Sequence, residues 1–135
     1  MPKEDYLLKY IEKLSRVIAA LLGLKESGKT EEIIRIADET YSEAITVSIQ
    51  EILEMNDSDF SELIEKNTLN ISHLEKLCEL SIIVVDTLYE TGNYDDMKKL
   101  AGKTLLLYRK LSEKDKTFSF ERETIITDLE NIINS

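Results

Sequence analysis

The chain is 135 residues long, 42% hydrophobic and 33% charged, with a formal net charge of −10. That length suffices for one domain with a real core. The acidic balance argues against nucleic acid and anionic membrane surfaces as partners, because both reward clustered Lys and Arg.

The first thirteen residues, MPKEDYLLKYIEK, mix charges and then fall into helical periodicity, unlike a signal peptide. A first helix is expected over residues 4–27. Leu7, Ile11, Leu14, Ile18 and Leu21 form its stripe, widened by Tyr10 and Val17. A second helix is expected over 30–55, with Ile33, Ala37, Thr40, Ala44 and Val47 on one side. NDSDFSELIEKN (56–67) reads as a short helix capped by Asp57 or Ser58 and buried through Phe60, Leu63 and Ile64. A fourth helix is expected over 72–91, opened by the capping-box pattern S-H-L-E. Its apolar set is Leu74, Leu77, Cys78, Ile82, Val85 and Leu88. A fifth covers 94–111 through Met97, Leu100, Ala101, Thr104, Tyr108 and Leu111. A polar connection (112–118) leads to a sixth over 119–133, with Ile125 or Ile126, Leu129 and Ile133 inward. One Pro and four Gly leave few breakers, and no stretch alternates with period two. The expectation is all-α: one domain over 1–135 with five or six antiparallel helices. The apolar runs 17–24 and 81–85 are too short to span a bilayer.

An internal repeat organises these elements. Residues 14–47 and 78–111 are similar when shifted by 64. ESGKTEEIIRIADET (26–40) aligns with ETGNYDDMKKLAGKT (90–104). Glu26, Gly28, Ala37 and Thr40 match Glu90, Gly92, Ala101 and Thr104. Upstream, Leu14, Ile18, Leu21 and Leu24 fall opposite Cys78, Ile82, Val85 and Leu88. Each copy reads as helix, glycine turn, helix, with Gly28 and Gly92 where a helix end wants a left-handed residue. The second copy, LYETGNYDDMKKLAGKTLLLYRKL (88–111), has the Gly-x-Tyr turn and the small residues of a tetratricopeptide repeat. The chain therefore resembles that class, in a degenerate form, over roughly residues 15–45 and 79–111. It is similar in layout to small bacterial proteins of that kind, from which no activity follows. The resemblance implies two helical hairpins joined by a short helix, and a protein or peptide partner in a groove lined by the first helix of each hairpin. By the repeat alignment that groove carries Ser15, Leu22 and Lys25 in one copy and Glu79, Asp86 and Tyr89 in the other.

GLKESGKT (23–30) fits the nucleotide-binding pattern G-x-x-x-x-G-K-[ST], and IIVVD (82–86) has the form of its magnesium-binding companion. The roles would be Lys29 on phosphates, Thr30 on the metal and Asp86 through metal or water. That chemistry needs a strand leading into the loop. The residues before Gly23 keep a helical period, and the second copy has GNY where the first has GKT. A turn between helices explains the shared glycine without a phosphate.

The lone His73 and lone Cys78 are five apart, off one helical face, which argues against a zinc pair. His73 is expected half-exposed in the first turn of its helix, and Cys78 buried as a small hydrophobe. A lone Cys excludes an intrachain disulfide and fits a reducing cytoplasm. Glu31, Glu32, Glu51, Glu54, Asp57, Asp59, Asp95 and Asp96 read as solvated faces and helix starts, with no metal set. For the tyrosines (6, 10, 41, 89, 94 and 108), helical spacing makes packing at the core or its edge the expected use, with a groove as the functional alternative. The expected role is a non-enzymatic interaction or adaptor module with no cofactor, and leftover apolar helix faces leave room for a homodimer. The alternatives are a small nucleotide-binding protein using GLKESGKT and a helical-bundle sensor of a small ligand.

Overall fold

The computed structural model describes residues 3–135, with side chains described from residue 8 onward. Leu7 of the first stripe and Tyr6 lie outside the described side chains. Among the described residues there are seven helices and no strand: α1 (Lys3–Glu26), α2 (Thr30–Ile45), α3 (Ile49–Glu54), α4 (Asp57–Lys66), α5 (Ile71–Glu90), α6 (Tyr94–Lys114) and α7 (Phe120–Ile133). None of them is long and apolar enough to cross a membrane.

The repeat is written into the backbone. Gly28 and Gly92 both have positive φ, +71° and +79°. At the first turn the Gly28 N–H donates to the Lys25 carbonyl and the Lys29 N–H to the Leu24 carbonyl. At the second, Gly92 donates to Tyr89 and Asn93 to Leu88, the same pattern 64 residues on. Only glycine adopts this conformation without steric cost. Beyond the turns, Ala37 and Ala101 are both fully buried. Buried Thr40 and Thr104 both donate their hydroxyls to the carbonyl four residues back, at 2.7 Å. Internal satisfaction of this kind lets a polar side chain enter the core.

The expected second helix is two helices. Thr46 sits at φ +66°, a costly conformation for a β-branched residue. Ser48 and Glu51 then form a reciprocal capping box that starts α3. Asp38 of α2 accepts the Ile49 N–H at 2.8 Å, fixing the bend. The interruption brings the count to seven instead of five or six. Cap positions also shift. Asn56, rather than Asp57 or Ser58, caps α4 through the Asp59 N–H. Asn70, rather than Ser72, caps α5 through the His73 N–H. In each case the Asn side-chain oxygen accepts from the N–H three residues on, at 2.8 Å. α6 extends to Lys114, so the connection to α7 is shorter than 112–118. Ile133 is 37% exposed rather than inward, because Leu129 carries the buried contact of α7.

Two helices organise the rest. α5 packs against α1, α2 and α6, and α6 packs against α3, α4, α5 and α7. Tyr10 and His73 meet with ring centroids 5.3 Å apart, and Lys25 reaches Asp86 at 2.8 Å near the other ends. α1 and α5 therefore run side by side in the same direction. Lys13 pairs with Glu43 at 2.6 Å, so α2 runs back along α1. Lys103 pairs with Asp57, and Lys110 with Glu65, which lays α4 along α6 in the same sense. Lys98 donates to the Ser135 carbonyl at 2.5 Å, which brings α7 back along α6.

Replacing Gly92 by Ala is expected to lower unfolding free energy by about 1–2 kcal/mol through left-handed strain. Gly28→Ala should cost a similar amount, since neither site has a steric obstacle to a Cβ. Urea unfolding of the two variants checks this. Unchanged stability in both would show that the turns do not depend on the left-handed residue.

Candidate functional site

α5 is so widely buried that only a narrow strip of it meets solvent. Glu75, Glu79, Ile82, Asp86 and Tyr89 form that strip at helical spacing. α1 lies alongside and contributes Leu8, Ser15, Leu22 and Lys25. The margin between these two helices is where the repeat alignment places a groove. Its apolar members are open: Leu8 is 57% exposed, Leu22 49% and Tyr89 61%.

The six residues expected there differ in what they do. Lys25 and Asp86 come together, and their ion pair bridges α1 to α5 at 2.8 Å with both partly buried. Leu22 stands exposed one turn before Lys25. Ser15 is half-buried, and its hydroxyl donates to the Ile11 carbonyl at 3.1 Å within its own helix. Glu79 accepts from Lys76 at 3.4 Å on its own helix. It also lines a cleft of about 180 Å³ with Cys78, Tyr108, Arg122 and Ile125, toward α7 rather than α1. Tyr89 finds its ring neighbour across the Gly92 turn, in Tyr94 at 5.7 Å.

GLKESGKT occupies the end of α1, the turn and the start of α2. The N–H groups that would cradle a phosphate are already engaged. Gly28, Lys29 and Thr30 donate to the carbonyls of Lys25, Leu24 and Gly28. Glu31 and Glu32 join Gly28, Lys29 and Thr30 around the open depression at this turn, and their charge repels an anion. Asp86 is held by Lys25. Helix therefore stands on both sides of a motif that needs a strand before it.

His73 differs from its expectation. It is 7% exposed, not half-exposed, because α1 lies over the start of α5 and places Tyr10 against the ring. Its Nε2 has no hydrogen-bond partner among the described residues. Burial pushes its pKa below the ordinary 6.5. Cys78 is buried as expected, and desolvation pushes its thiol well up, which disfavours the reactive thiolate. Tyr41 and Tyr108 are buried, whereas Tyr89 and Tyr94 stand in solvent. Among the described residues no group of three or more His, Cys, Asp or Glu is placed to hold a metal ion.

Sequence reasoning missed one feature, a cleft of about 220 Å³ between α4 and α6. Phe60, Ile64 and Leu106 give it apolar walls, and Arg109 and Lys110 stand beside it. The signal was present in α6, where Leu106 and Arg109 lie outside the stripe of the repeat. That stripe alone does not show that α6 is covered on two sides. Comparison with known proteins matches no family model, no curated protein and no solved structure.

Burial makes the folded chain accept a proton at His73 less readily than the unfolded chain, which does so near the ordinary pKa. Below about pH 6.5 the unfolded state then binds more protons, so this group removes stability as pH falls. Between about pH 7 and pH 5, His73→Phe should show a shallower decline of stability than the parent, by up to one proton's worth. Unfolding titrations across that range measure it. Equal slopes would mean that His73 protonates as freely folded as unfolded.

Proposed function

We propose that the chain is a non-enzymatic interaction module, built as two similar tetratricopeptide-like hairpins, α1–α2 and α5–α6, with α3 and α4 inserted between them. It works in the cytoplasm, without cofactor or nucleic acid, by holding a protein or peptide segment along the α1–α5 margin. The observation that carries this reading is the open apolar set Leu8, Leu22 and Tyr89 beside the Lys25–Asp86 bridge. Apolar side chains spaced along two parallel helices offer anchor sites for an amphipathic segment. The Lys25–Asp86 ion pair between them supplies a polar element that fixes register. The matched turns at Gly28 and Gly92 support the hairpin repeat that places the two helices side by side.

The test uses a photo-cross-linking residue in cells at Leu22, at Tyr89, and at exposed Glu130 on α7 as the control. A discrete adduct is expected from the first two positions and not from the third. Leu22→Asp with Tyr89→Asp should reduce recovery of that partner about tenfold or more, as loss of anchor residues does. Equal adducts at all three positions, or none, would contradict the reading.

A further inference from the structure

The side of α1 that faces away from the core is built unlike a solvated face. Leu14, Ile18 and Leu21 fill the core side, and α1 packs against α2 and α5. Yet residues 17–24 carry no charge at all, and Ala19, Ala20, Leu22 and Gly23 are exposed. A helix that is apolar all round is normally covered all round.

Gly23 adds a separate observation. A Cβ placed there would meet nothing within 4 Å, and its backbone is not among the positive-φ positions. Neither packing within the chain nor conformation calls for glycine. In a helix interior it is destabilising relative to Ala. What it provides is a backbone open to close approach from outside.

Two exposed charges flank this stretch, Arg16 and Glu26. Helical spacing puts residues 16, 19, 23 and 26 on one face. Lys13 and Lys25 of the same helix form ion pairs within the chain. Among the described residues, Arg16 and Glu26 form none.

We propose that a second copy of this chain docks here, α1 against α1 in antiparallel orientation. A two-fold contact uses the same face of both copies, so residues equidistant from its centre stand opposite each other. With the axis at residue 21, Arg16 faces the second copy's Glu26, and Ala19 faces the second copy's Gly23. Each pairing occurs twice. One centre thus matches opposite charges at the ends of the contact and the smallest residues at its middle. Ala and Gly let the helices approach closely, and the covered apolar backbone removes water from between the charge pairs. The face is self-complementary in charge, which selects a second copy over an unrelated acidic or basic partner. The seam runs beside the α1–α5 margin and does not depend on what that margin binds.

Sedimentation equilibrium over a concentration series should show a species of twice the chain mass. Gly23→Arg fills open space on a helix, so helicity by circular dichroism should hold while the dimer is lost. Arg16→Glu and Glu26→Arg should each be monomeric alone, because like charges then face each other. Mixing these two variants should restore a dimer, since every facing pair becomes opposite in sign. A parent chain that stays monomeric throughout overturns the proposal, as does a Gly23→Arg variant that still dimerises. Failure of the mixed variants to associate also overturns it.

Discussion

The structure depends on the burial of α5. Eleven of its twenty residues are buried, more than one helical face can supply. A helix with that much apolar surface must be packed from several sides, and α1, α2 and α6 do so. Two of its buried polar members, Thr87 and Ser81, are satisfied within the fold. The Thr87 hydroxyl donates to the Ile83 carbonyl at 2.8 Å, and Ser81 shares a 2.6 Å hydrogen bond with Tyr41 of α2. That second bond joins neighbouring elements and removes two buried hydroxyls from debt, each of which would otherwise cost about 1–3 kcal/mol. Because α5 is enclosed on three sides, only one strip of it meets solvent. The place of the candidate groove is thus a consequence of core packing.

Charge follows the same plan. The chain is acidic, yet α6 carries Lys98, Lys99, Lys103, Arg109, Lys110 and Lys114, six of the seventeen basic residues. Four of them are engaged within their own fold. Lys103 and Lys110 hold acidic α4, Lys114 donates to the Leu69 carbonyl at 2.8 Å, and Lys98 ties the end of α7. The basic helix is an internal strut that gathers acidic elements about it. A basic stretch in the sequence could suggest a phosphate-binding surface, but here its cations are largely engaged. Arg122 does similar work at the α6–α7 turn, where it holds Asp115 at 3.0 Å and, with Thr117, keeps that carboxyl below its usual range.

What was legible in the sequence was what is local or repeated. Period 3.6 placed the long helices α1, α5 and α6, and the 64-residue shift found both left-handed glycines and the buried Ala37–Ala101 and Thr40–Thr104 equivalents. The break at Thr46 was hidden because apolar spacing continues across it through Val47. The Ser48–Glu51 capping box was the available signal. His73 looked peripheral because its exposure is set by α1, more than sixty residues away, and periodicity within α5 cannot report that. The same holds for Lys103, which a one-stripe reading of α6 leaves in solvent but which α4 covers. For the candidate groove, sequence equivalence named six residues on the helices that became α1 and α5. It could not show that Lys25 and Asp86 pair, that Ser15 is occupied by its own helix, or that Glu79 leans toward α7. Those depend on how helices are set against one another.

If α5 is the element on which the rest is assembled, its backbone amides open only when the whole domain unfolds. Native-state hydrogen exchange measures this directly. The amides of α5 from Leu77 to Thr87 should exchange last, together with those of α6 from Leu100 to Leu107, and ahead of them should come α7 and the outer turns of α1. Exchange of α5 as rapid as that of α7 would contradict a fold organised around α5.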